Sequence, residues 1–254
     1  MLVVTTLAGA ATGLGAIPLL FRQSISHRTY DAALGLAAGI MTGASVFGLL
    51  LPGLETGTLL QVTLGVVAGT GTLLVGNRLL PHVHARYRGW RHHGQPEDLD
   101  LDLASRLRRA VLIGGAIVLH NVPEGLAIGV AFAAGLEEVA LFLAVVIGLQ
   151  NVPDGFAFAV PVAETGLSRS LLVIYTTLSG LLPQVLAALV GFGLVAIATD
   201  AFPVAAGFAA GAMLGVVSRE MVPSSHGHGH ADAATATFVL GVLVILLAEE
   251  LLVT

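Results

Sequence analysis

Residues 110–135 read AVLIGGAIVLHNVPEGLAIGVAFAAG, and residues 139–163 read VALFLAVVIGLQNVPDGFAFAVPVA; these two stretches decide the fold class. Each is apolar, long enough to cross a hydrocarbon core of about 30 Å, and carries one polar cluster midway along it. The clusters match. The first holds His120-Asn121-Val122-Pro123-Glu124-Gly125 and the second Gln150-Asn151-Val152-Pro153-Asp154-Gly155. A charged side chain at the bilayer centre costs roughly 2.5–3.5 kcal/mol on insertion scales, so a carboxylate at that depth needs a partner. A bound cation is the partner these residues suit.

Working outward, the rest of the chain has the same character. Of 254 residues, 56% are hydrophobic and 11% charged, and mean hydropathy is +0.91. A soluble chain of this length carries more charge on its exterior, so the composition predicts an all-α polytopic membrane protein. Apolar segments near 1–21, 31–52, 59–80, 110–135, 139–163, 171–199, 202–222 and 233–253 predict eight transmembrane helices in one domain spanning 1–254. The first segment has no positive residue ahead of it and reads as a retained span, not a cleavable signal. Cysteine is absent, which excludes disulfides, thiolate metal sites and cysteine nucleophiles. A formal charge of −5, spread along the chain, gives no reason to expect a nucleic-acid partner.

All eleven basic residues are arginines. Arg22 and Arg28 follow the first span; Arg78, Arg86, Arg88, Arg91, Arg106, Arg108 and Arg109 cluster between the third and fourth; Arg169 follows the fifth and Arg219 ends the seventh. With eight spans they all fall on one side, which the positive-inside rule makes cytoplasmic. Both termini are then extracytoplasmic, and Glu55, Glu137, Glu138, Asp200, Glu249 and Glu250 lie at the opposite face.

His120 stands about ten residues into its span, or roughly 15 Å deep, and Gln150 lies at similar depth in the next one. His120 and Glu124 are four apart, as are Gln150 and Asp154, so each helix presents two ligands on one face, with Asn121 and Asn151 offset by about 100°. Pro123 and Pro153 cannot donate to the carbonyls four residues earlier, at Leu119 and Leu149, which suits a polar path buried in protein. Gly125 and Gly155 allow close approach of a helix or an ion. Imidazole, two carboxylates and amide oxygens suit a borderline divalent ion such as zinc, iron(II), manganese or cadmium, and the lack of sulfur disfavours copper(I). Two carboxylates balance one such ion, and protons are the alternative counter-charge when it is absent. Proton exchange for metal is therefore expected.

The loop at 81–109 contains His82, His84, His92 and His93 among its arginines, then Glu97, Asp98, Asp100 and Asp102. It reads equally as a solvated linker and as a loose metal-attracting tether, and the same holds for His226, His228 and His230. Gly207, Gly211 and Gly215, with Gly35 and Gly39, form small-residue faces that read as helix packing.

At these motifs the chain resembles the ZIP (ZRT/IRT-like) family of divalent metal transporters, in its prokaryotic GufA-type branch. The resemblance extends over all eight predicted helices. It implies a ZIP-like bundle in a prokaryotic cell membrane, working as a homodimer, that moves zinc first, and also cadmium, iron or manganese, into the cytoplasm. It implies that His120, Glu124, Gln150 and Asp154 are metal ligands and that Asn121 and Asn151 face a second position sharing the two carboxylates. Ser45 in helix 2, Glu220 in a Glu-Met-Val-Pro segment and His226 beyond it become pathway contacts on the same basis. The metal is then cargo, with no cofactor implied.

Departures from the family pattern bear on stoichiometry. In Ser179-Gly180-Leu181-Leu182-Pro183-Gln184, Leu182 stands where binuclear relatives carry a glutamate, so a second metal position is expected to be weak or missing. Asp154 has a shorter arm than the commoner glutamate, Asn151 is neutral where some relatives have an acid, and Arg219 and Ser224 replace residues that are often ligands. Among other classes, an intramembrane metallohydrolase lacks HExxH and GxSxG, while a passive cation channel or another cation/proton exchanger stays compatible with the midplane residues.

Overall fold

The computed structural model describes residues 1–21, 25–79 and 120–252, and among them there is no strand. The helices in chain order are α1 (Leu2–Phe21), α2 (His27–Thr56), α3 (Leu59–Leu79), α4 (120–133), α5 (Glu137–Ala163), α6 (Arg169–Ile197), α7 (Phe202–Ser225) and α8 (Ala231–Leu252). Seven of these are long and apolar enough to cross a membrane; α4 is described only from His120 onward. The beginning of the span predicted at 110–135 and the loop at 81–109 lie outside the described residues.

Four helices start ahead of their predicted apolar runs, and in α2 and α6 a serine cap sets the start. The Ser26 hydroxyl accepts from the Thr29 N–H at 3.1 Å and starts α2 at His27, ahead of the apolar run predicted from 31. Ser168 does the same for α6, accepting from Leu171 N–H at 3.4 Å. Hydropathy sees the apolar core of a span, and a cap extends the helix past it into the polar interface.

Regular winding is interrupted where it has a local cause. A π turn occupies Val46–Leu50 in α2 and another Val217–Met221 in α7, each followed within two residues by a proline, Pro52 and Pro223. Proline has no N–H and pushes aside the carbonyl four residues back, and a widened turn absorbs both effects. By contrast α5 stays helical through Pro153 and Pro161.

Glycines set which helices touch. A Cβ on Gly35 or Gly39 would collide with the carbonyls of Ala234 or Phe238, so α2 lies directly on α8. Gly207 and Gly211 face the backbone of Val62 and Val66, pairing α7 with α3, and Thr70 donates to the Gly211 carbonyl at 2.8 Å. Gly125 and Gly129 meet the carbonyls of Gln184 and Ala188 on α6, while Gly155 meets Thr12 on α1. The approach expected at Gly125 and Gly155 is thus made by a helix. The main core gathers Ile40 and Met41 of α2, Phe142, Leu143 and Ile147 of α5, and Met213 of α7. Leu60, Leu64, Leu186 and Leu247 point outward, as a lipid-facing surface requires.

One buried acid lies away from this core. Asp31 is fully buried and its Oδ1 accepts from His228 Nδ1 at 2.8 Å, with His27 stacked on the His228 ring at 4.9 Å between centroids. His228 thereby fastens the α7–α8 connection to the start of α2. Truncating it leaves a buried acceptor without its donor, and His228→Ala is expected to destabilise the protein by about 2 kcal/mol. Thermal unfolding in detergent checks this, with His230→Ala, at an exposed position, as the neutral comparison.

Candidate metal centre

The link from α4 to α5 turns on Gly135, whose φ of 77° is a left-handed conformation that glycine adopts without strain. The Leu136 N–H closes the end of α4 onto the Ala131 carbonyl at 3.1 Å, and α5 returns beside α4. This brings the two polar clusters to one level. Gln150 Nε2 donates to Glu124 Oε1 at 2.8 Å and to Asp154 Oδ2 at 3.1 Å, so the two acids, one from each helix, lie on either side of a single amide nitrogen.

Most of the cluster is buried. Glu124 and Gln150 are fully buried, and Asn121 and Asn151 nearly so. Glu124 Oε2 and Gln150 Oε1 have no hydrogen-bond partner among the described residues. A buried oxygen without a donor costs of order 1–3 kcal/mol, and two of them beside a pair of acids form the kind of vacancy in bonding that a cation satisfies. His120 is turned elsewhere: its Nε2 lies 2.9 Å from Glu220 Oε2 on α7. Among the described residues no three histidine or acid side chains stand together at chelating distance. The assembled part is two carboxylates and an amide.

The family model described as ZIP Zinc transporter matches residues 67–249, a stretch that includes both clusters, the turn between them and Glu220. The chain belongs to the ZIP family. It is 36% identical to the zinc transporter GufA of Myxococcus xanthus over 98% of this chain and 97% of that protein. With the zinc transporter ZIPB of Bordetella bronchiseptica the identity is 40% over 91% of this chain and 74% of the relative. The zinc transporter ZupT of Salmonella newport is 35% identical over 54% of this chain and 51% of its own length. As a ZIP protein the chain is an integral membrane transporter of divalent metal ions, of the kind found in prokaryotic cell membranes, and not an enzyme. The ion is its cargo and not a cofactor.

The remaining candidate residues of this ZIP protein separate by where they point. Asn151 donates to the Ala8 carbonyl at 2.8 Å and to Gln184 Oε1 at 2.9 Å, so its amide faces α1 and α6 and not the acids. Leu182 is 54% exposed on the outside of α6, whereas Gln184 is fully buried, so Gln184 is the α6 residue that reaches this level. Attention to Leu182 in the sequence missed it. The available signal was a lone amide beside Pro183 in an otherwise apolar run. Ser45 is buried and donates to the Met41 carbonyl of its own helix at 2.7 Å. His226 is exposed, with Nδ1 3.0 Å from Ser225 Oγ and Nε2 3.2 Å from Thr235 Oγ1, and so ties the end of α7 to the first turns of α8.

Proposed function

We propose that this chain carries zinc across the membrane into the cytoplasm, and accepts cadmium, iron(II) and manganese, through a site that α4 and α5 share near the bilayer midplane. The observation that carries this reading is the convergence of Glu124 and Asp154 on the Gln150 amide, with the buried oxygens Glu124 Oε2 and Gln150 Oε1 left unbonded among the described residues. A half-turn of the Gln150 amide presents its oxygen to the point its nitrogen now faces, which replaces a donor to the acids by a third oxygen ligand. His120 supplies the imidazole. Two carboxylates, an imidazole and an amide oxygen form a neutral complex with a borderline dication. The names of the bacterial relatives favour zinc among such ions.

Asn121 and Asn151 flank this position. Held by Ala8 and Gln184, Asn151 contributes a neutral amide at the place where a second ion would need charge. One ion per site is the reading we favour. On the arginine distribution both termini are extracytoplasmic; the likeness to the ZIP family, and not the charges, is what supports a homodimer with Ser45, Glu220 and His226 along the pathway.

Purified protein in proteoliposomes tests this with zinc, cadmium, iron(II), manganese, cobalt and nickel, scored by an encapsulated metal indicator. Expected is zinc uptake that saturates with concentration, is competed by cadmium, and falls at least about tenfold in His120→Ala. Unsaturable, ohmic current points to a pore, and absence of flux for all six ions refutes the proposal.

A further inference from the structure

We infer that Glu220 is the stand-in partner of His120 in the empty protein: a latch from α7 to α4 that a divalent ion must displace before it can take the imidazole. The inference rests on the site reading above and concerns a role for Glu220 other than that of a ligand.

His120 Nε2 lies 2.9 Å from Glu220 Oε2, and a carboxylate oxygen has no hydrogen to give when ionised, so Nε2 carries the proton and donates. A metal ligand needs the bare lone pair of that same nitrogen, since the imidazole plane offers each nitrogen one direction of bonding. The two bonds exclude each other. On metal binding the Nε2 proton moves off, to Nδ1 by a change of tautomer or to the Glu220 carboxylate, and the ring turns toward Glu124 and Asp154.

The close glycine contacts of α4 are with α6, through Gly125 and Gly129, whereas those of α7 are with α3, through Gly207 and Gly211. The bond therefore joins helices from different close-packed pairs, a hundred residues apart in sequence. Glu220 belongs to the π turn Val217–Met221, whose extra residue rotates the following side chains relative to regular winding. That turn exists where Pro223 disturbs the helix, so the aim of Glu220 follows from a local sequence feature and not from chance contact.

Glu124 and Asp154 are occupied by the Gln150 amide and His120 by Glu220, at 15–19% side-chain exposure for the latter pair. In this empty site both carboxylates and the imidazole thus each have a protein partner that an ion can replace, while Gln150 Oε1 and the second oxygen of Glu124 are unbonded among the described residues.

Zinc affinity of the full-length protein in detergent tests the latch, by competition with a chromophoric chelator. The signal of Glu124→Ala is subtracted, so that zinc on the histidine-rich segments does not enter. Removing the acceptor frees His120, and Glu220→Ala is expected to bind zinc roughly fivefold more tightly, the modest end for a charge-assisted bond that is partly wet. Glu220→Gln keeps an accepting oxygen without the charge and is expected to move the same way by about twofold; it carries the test if Glu220→Ala does not fold. Weaker binding in these variants would make Glu220 a ligand and overturn the latch, and unchanged affinity would make the bond incidental. If instead Glu124→Ala binds like the unaltered protein, the site reading itself fails, whatever Glu220 does.

Discussion

Glu124→Ala and Asp154→Ala are each expected to abolish zinc uptake, by at least about 100-fold, while the purified variants remain folded. The size follows from the ligand count. Changes in residues that only orient a ligand cost roughly 10–100-fold in metal affinity, and removal of a carboxylate takes away both a donor and half of the charge that balances the ion. Folding is expected to survive because the acids are buried at membrane depth, where removing a charge removes a desolvation cost. Gln150 Nε2 also keeps an acceptor in either single variant, since it bonds both acids. Glu124→Gln separates charge from shape, and it too should be inactive. Radioactive zinc uptake together with thermal unfolding in detergent checks all three. Flux near the unaltered level in either alanine variant would remove α4 and α5 from the pathway.

Gly155→Val should have the largest effect on the assembly of the protein. A Cβ at Gly155 overlaps the Thr12 carbonyl oxygen, and reciprocally one at Gly15 overlaps the Phe156 backbone, so neither helix can yield by a side-chain rotation alone. Overpacking of this sort costs about 1–3 kcal/mol for one added methylene group, and valine adds a branched side chain against backbone. Gly155 adjoins Asp154, so parting α1 from α5 also shifts a proposed ligand. A sharply lower yield of monodisperse protein is expected, and an unfolding temperature well below that of the unaltered chain. Gly71→Ala is the comparison, because a Cβ there meets nothing within 4 Å. It should be neutral or slightly stabilising, through helix propensity.

Much of the candidate site was legible before any coordinates, and the reason is the membrane. Polar residues are so costly in an apolar span that His120, Glu124, Gln150 and Asp154 stand out on sight, and a spacing of four places each pair on one face. What lies between helices was not legible. Leu182 and Gln184 are two residues apart, about 200° around the helix, and only the packing of α6 on α1 and α4 shows that the amide faces inward while the leucine faces out. Likewise Ser45 and His226 carry suitable chemistry, yet Ser45 bonds within its own helix and His226 bonds the adjoining ends of α7 and α8. The starts of α2 and α6 escaped the hydropathy pattern because serine caps act on three residues, a range over which average hydropathy carries no signal.

By itself the sequence determined the class of the molecule, the two matched polar clusters within apolar stretches, and the family, because each depends on local hydropathy or on a contiguous motif. Only the tertiary structure decided that both acids share the Gln150 amide, that Asn151 answers to Ala8 and Gln184, and that His120 reaches across to Glu220. These are contacts between helices distant in sequence. They depend on which glycine faces which backbone and on how a π turn rotates the residues after it, and no periodicity within one segment encodes either.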